Sequence, residues 1–194
     1  MITPQRRAAF YKVLREEARQ SAMTSFLNNT PLPAALSVAL MSLEEMSPEL
    51  LEQVEAVWEK RLVDWDWQSC FDAYRKDHRH WNCAVVANKN LLLGLALGSV
   101  SERKTLLRIQ GVERAVLVEN SKKQWILPLM ELAWTNYAVL LGCQKVVMMA
   151  PAPHLIEKYN RLGYTVWEER QINGLSGLAK MLPVDVDGAV DGVD

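Results

Sequence analysis

No run in this chain of 194 residues approaches the roughly 20 apolar residues that a membrane-spanning helix needs. The opening MITPQRRAAF lacks the apolar core of a signal peptide. Net charge is missing too. At −1 overall, the chain gives no general reason to expect nucleic acid or a membrane surface as partner. Arg75, Lys76, Arg79 and Arg108 are too scattered to change that. Cysteine is scarce: Cys70, Cys83 and Cys143 are odd in number and far apart, which fits reduced thiols in the cytoplasm. His78, His80 and Cys83 lack a fourth ligand at zinc spacing. The terminal PVDVDGAVDGVD begins like a calcium loop but lacks the glutamate at the twelfth position. No metal is expected. There is also no Ser–His–Asp order, no Walker loop and no internal repeat.

What is present is ordinary for a soluble globular protein: 49% apolar and 23% charged residues, enough chain for one substantial core. Seven tryptophans are many for this length and point to a core, a pocket or an interface. Residues 3–29 read as a helix with Thr3-Pro4 as its start and a stripe of Phe10, Val13, Leu14, Ala18, Ala22 and Phe26. The prolines at 31 and 33 break it. Residues 35–46 read as a strand running into a loop, and Ser47-Pro48 starts a helix through Leu62. Residues 64–77 suggest another helix. His80–Ala87 and Leu91–Val100 read as strands joined by the tight turn Asn88-Lys89-Asn90. The last stretch, 183–194, is acidic and without aromatics, and is expected to be a disordered tail.

The most informative segment is Thr105–Arg170. Thr105–Val118 reads as a strand, and Trp125–Leu141 as a helix with apolar residues at spacings of three and four. Gly142 supplies the stop. Lys145–Ala150 (KVVMMA) suits a strand covered on both faces, His154–Leu162 a short helix closed by Gly163, and Tyr164–Glu169 another strand. A strand–helix–strand crossover of this length brings the second strand back parallel to the first. The expected groove lies between splayed parallel strands at 115–118 and 145–150, with the helix beginning at Trp125 facing it.

Taken together, the helix ending LGC, the strand KVVMMAPA and the phrase Tyr159-Asn160-Arg161-Leu162-Gly163-Tyr164 resemble the second half of the GCN5-related N-acyltransferase (GNAT) superfamily. The order of elements extends the resemblance over about residues 34–182. It implies an α/β acyl-CoA N-acyltransferase fold, a mixed central sheet flanked by helices, with residues 1–33 as an extra N-terminal helix. It implies acyl-CoA, acetyl-CoA foremost, as cosubstrate and an amine of unknown class as acceptor. The added helix is read as an extra packing helix or as a contact for self-association or a partner.

The resemblance also assigns residues. The family's Arg/Gln-x-x-Gly-x-Gly/Ala phosphate loop, counted back from Gly142, falls on Lys122, Lys123, Gln124, Trp125, Ile126 and Leu127. Trp125 and Leu127 stand where glycines would let a diphosphate approach the backbone. Lys122 and Lys123 keep positive charge there. Tyr159 takes the place of a tyrosine that gives a proton to the departing thiolate. Glu113 is the candidate base and Glu119 a second carboxylate just beyond the strand. The backbone N–H of Leu117 would serve the oxyanion. Two functions follow: an N-acyltransferase, or the same fold with cofactor binding lost, acting as a structural or interaction protein.

Overall fold

The computed structural model describes residues 3–31, 38–58, 61, 63, 65–88, 90–116, 118–172 and 175–183. Leu117, the start of the expected first strand and the acidic stretch after Pro183 lie outside the described residues.

The chain runs through helix α1 (Pro4–Asn29), strand β1 (Met41–Glu44), helices α2 (Pro48–Val57) and α3 (Trp67–Tyr74), and strands β2 (Trp81–Ala87), β3 (Leu91–Val100) and β4 (Leu106–Arg114). Helix α4 (Asn120–Leu140), strand β5 (Lys145–Met149), helix α5 (Ile156–Arg161) and strands β6 (Thr165–Ile172) and β7 (Leu175–Met181) follow. The strands form one seven-stranded sheet in the order β1-β2-β3-β4-β5-β7-β6. Every pairing is antiparallel except β4 with β5, the pair joined by the α4 crossover. One sheet face packs with α1 and α4 around Trp81, Trp134 and Tyr137; the other packs with α2 and α3 around Trp58, Trp67 and Phe71.

Helix α1 starts as its sequence predicts, with Thr3 accepting the Arg6 N–H and Pro4 in the first turn. Four residues of the expected stripe, Leu14, Ala18, Ala22 and Phe26, pack on the core, whereas Phe10 and Val13 are exposed and Tyr11, Arg15 and Arg19 are buried in addition. The arginines can be buried because they are paired. Arg15 donates to the His78 carbonyl at 2.9 Å and to Glu45 at 3.1 Å, and Arg19 donates to the Asn82 carbonyl at 3.2 Å.

Several boundaries move, and three of them bear on the site. β4 stops at Arg114 rather than Val118, α2 stops at Val57 rather than Leu62, and α4 begins at Asn120 rather than Trp125. The last shift places Pro128 inside the helix, where it removes one N–H and costs about 3 kcal/mol relative to alanine. At its other end α4 closes as predicted. Gly142 sits at φ +72°, its N–H bonds to the Val139 carbonyl at 2.9 Å, and the Cys143 N–H bonds to Ala138 at 2.8 Å. These two bonds are the Schellman pattern that a left-handed glycine permits.

Candidate functional site

β4 and β5 pair over four rungs, from Leu106↔Lys145 to Ile109↔Met148, and then part. β4 continues to Arg114 paired to β3 alone, so its other edge beyond Ile109 has no strand among the described residues. The expected fork is therefore present and its strands are parallel. It is built by Leu106–Arg114, since residues 115, 116 and 118 are not strand. A register shift between Leu97 and Gly98 leaves Gln110 as a bulge on β4. Bulges re-aim side chains, and this one turns Gly111 and Glu113 toward the α2–α3 face.

Tyr159 enters from α5, on the α4 side of the sheet. Its helix ends in the same way as α4: Gly163 has φ +88°, its N–H bonds to Asn160 and the Tyr164 N–H bonds to Tyr159, each at 3.0 Å. The two tyrosine rings then meet edge to face at 5.8 Å. The Tyr-x-x-x-Gly-Tyr phrase is thus a helix stop with the apolar contact that accompanies it. Burial pushes the Tyr159 phenol well above its usual pKa, so it holds its proton. Behind it, Tyr164 accepts the Trp134 indole N–H at 2.8 Å, and Glu131 receives Lys180 at 2.9 Å.

Glu113 is fully buried and its oxygens are engaged. Arg61 Nη2 lies 3.0 Å from one oxygen and Arg61 Nε 3.1 Å from the other, while the Trp67 indole N–H donates at 2.6 Å. These bonds bind the segment between α2 and α3 across β4. Arg61 also donates to the Trp65 carbonyl at 2.6 Å. Trp65 lies over Gly111, where an added Cβ would come within 2.2 Å of the indole. The structure therefore gives Glu113 a holding role in the cover of this face. Arg61, 52 positions away, carried no periodicity or motif that marked it; the closely spaced Trp65 and Trp67 were the only local hint.

The residues matched to the phosphate loop lie elsewhere than in a loop. Glu119 is the N-cap of α4 and makes no side-chain cap bond. Its carbonyl accepts the N–H groups of Lys122 and Lys123 at 3.0 and 2.9 Å, and Lys122 Nζ bonds its carboxylate at 2.8 Å. That bond holds the Glu119 carboxyl below its usual pKa. Lys123 and Gln124 are exposed. Trp125, Ile126 and Leu127 fall in the second turn, up to about 10 Å along the axis from the helix start. Their N–H groups serve the helix itself. The Trp125 ring meets Phe26 of α1 edge to face at 5.5 Å, and its indole N–H is buried without a partner among the described residues. Ile126 packs down on β3, where a Cβ on Gly94 would come within 2.7 Å of it. So the structure gathers Gln110, Gly111 and Glu113 on β4 beside the fork, and separates Trp125–Leu127 from any loop.

The fold matches solved structures. A chimera of the Vibrio cholerae spermidine N-acetyltransferase SpeG and hSSAT superposes with a TM-score of 0.55 at 14% identity, over 73% of this chain and 95% of that one. The chain has the acyl-CoA N-acyltransferase fold. Ard1 from Thermoplasma volcanium gives 0.55 at 15% identity, over 74% of this chain and 99% of that one. No family profile and no curated protein sequence matches. Lys122–Leu127, which the resemblance aligns with the family's phosphate loop, are helix here. Among the described residues no helix is long and apolar enough to cross a membrane.

Proposed function

We propose that the protein is an acyl-CoA-dependent N-acyltransferase acting on an amine. The observation that carries this reading is the fork, where one edge of β4 beyond Ile109 is left without a strand. An open strand edge suits an extended chain with spaced amides, and the pantetheine arm of coenzyme A is such a chain. When bound, the thioester supplies the acyl group and a thiolate leaving group; acetyl is the group we assign, after the chemistry of the SpeG neighbour. Tyr159, assigned by its place in the Tyr-x-x-x-Gly-Tyr phrase, would give its proton to the departing thiolate sulfur. The residues present fit the diphosphate at the first-turn N–H groups of Asn120 and Ser121, with Lys122 and Lys123 beside them. They do not fit it at Trp125–Leu127. Glu113, through Arg61 and Trp67, holds the cover over the acceptor side of β4.

The test is a screen of primary amines with acetyl-CoA, following release of the coenzyme A thiol. Tyr159→Phe should lower turnover by roughly 10² to 10⁴ and leave acetyl-CoA affinity unchanged. Equal turnover would leave Tyr159 a packing residue.

A second reading has its own observation. The Glu119 carboxylate stands at the start of α4, where the diphosphate charge would lie, and helix occupies Lys122–Leu127. On this reading the fold serves as an interaction protein, and acetyl-CoA does not bind.

A further inference from the structure

Two polar side chains at the fork have groups left over. Arg108 sits on the next-to-last shared rung, paired with Val147 of β5 on one side and Ser99 of β3 on the other. Gln110 is the bulged residue just past the last rung and donates from Nε2 to Ser99 Oγ at 2.8 Å. Residues paired across strands share a face, and Ser99 continues the Leu95, Leu97 face that packs on α2 and α3. Arg108 and Gln110 therefore both stand on the α2–α3 side, in line with Gly111 and Glu113.

Arg108 is half-buried, and its Nε is buried with no partner. Among the described residues no carboxylate or carbonyl reaches its guanidinium. Gln110 Oε1 is likewise buried with no partner. Buried polar atoms are nearly always satisfied, so a donor and an acceptor left over two residues apart call for an explanation. Arg61 provides a contrast, since its guanidinium is engaged by Glu113, Glu55 and the Trp65 carbonyl. On this face one arginine is used by the fold and the other is spare.

A spare guanidinium selects a planar anion, foremost a carboxylate held by two parallel N–H bonds. A spare amide oxygen selects an N–H. We propose that Arg108 and Gln110 form the acceptor subsite, and that the acceptor is a free α-amino acid, its carboxylate on Arg108 and its amine on Gln110 Oε1. This rests on the acyltransferase reading for the amine's fate, though not for its binding. One group for an anion and one for an N–H, on the same face of one strand, match a small molecule that carries both a carboxylate and an amine. It disfavours polyamines, which would bring a cation toward Arg108.

The test uses the full chain without cofactor. Free L-α-amino acids are titrated singly at millimolar concentration by calorimetry, beside the matching amine that lacks the carboxylate and the matching acid that lacks the amine. At least one amino acid should bind, with both matched compounds roughly tenfold weaker or more. Arg108→Met, which keeps the stem, should lose binding, Arg108→Lys should regain part of it, and Gln110→Leu should weaken the amino acid while sparing the amine-free acid. Circular dichroism checks that each variant is folded. Absence of binding by every amino acid, or equal binding of the decarboxylated amine, overturns the proposal. A parallel titration with acetyl-CoA separates the two claims. Amino acid binding without acetyl-CoA binding keeps the subsite and ends the transferase reading; the reverse ends the subsite alone.

Discussion

His80 carries the clearest pH dependence of any single residue. It is buried beside Arg15, its Nδ1 donates to the Asp77 carbonyl at 2.5 Å, and its Nε2 accepts from Asn82 at 2.8 Å. Burial, reinforced by Arg15, lowers its pKa from 6.5 to about 4. The unfolded chain takes up this proton near the ordinary value and the folded chain only near the lowered one. Stability is therefore whole above the ordinary value and falls as pH drops through that window, by about 3 kcal/mol at its foot. Urea midpoints for the parent should decline across this range, and His80→Gln should flatten the decline; parallel curves would contradict it. Tyr159 was legible because its phrase is local, a helix stop written in six consecutive residues. Glu113 was legible as a strand carboxylate, but its partner was not, since Arg61 reaches it across 52 positions. Arg108 was legible only as one of several scattered cations, because what sets it apart is the lack of a neighbour.

Among the elements, α4 and the α2–α3 segment hold the predictions. Pro128 interrupts the hydrogen-bond ladder and isolates the two turns from Asn120 to Leu127, a length too short to be stable alone in water. Pro128→Ala should stabilise the protein by about 2 kcal/mol, after allowing for the looser unfolded chain. The gain should appear as slower amide exchange in those two turns, and unchanged exchange there would count against it. On the other face, Arg61→Met strands the Glu113 carboxylate and should cost about 3 kcal/mol. Adding Glu113→Gln should recover much of that loss, because the amide oxygen can still accept from Trp67. Additive losses in denaturant unfolding would show that the pair does not hold the segment. Strand and helix identities along Thr105–Arg170 were readable from periodicity and glycine stops. The early start of α4 was not, because Pro128 argues locally for a helix beginning near it, and the packing of Trp125 on Phe26 and of Ile126 over Gly94 overrides that preference.

At the scale of the molecule, the sheet order and its one parallel pair make the acyl-CoA N-acyltransferase fold. Helix α1 packs into the same core as α4, through Ala18 and Ala22. Its most exposed large apolar residues are Phe10 and Val13. Whether the fork and the start of α4 together take up a coenzyme A thioester decides between an enzyme and an interaction protein. Calorimetric titration of the parent with acetyl-CoA asks this directly. Saturable binding that weakens as salt is raised is expected, since exposed Lys123 and the first-turn N–H groups supply part of the attraction. No heat of binding at millimolar acetyl-CoA, in low salt, would contradict it.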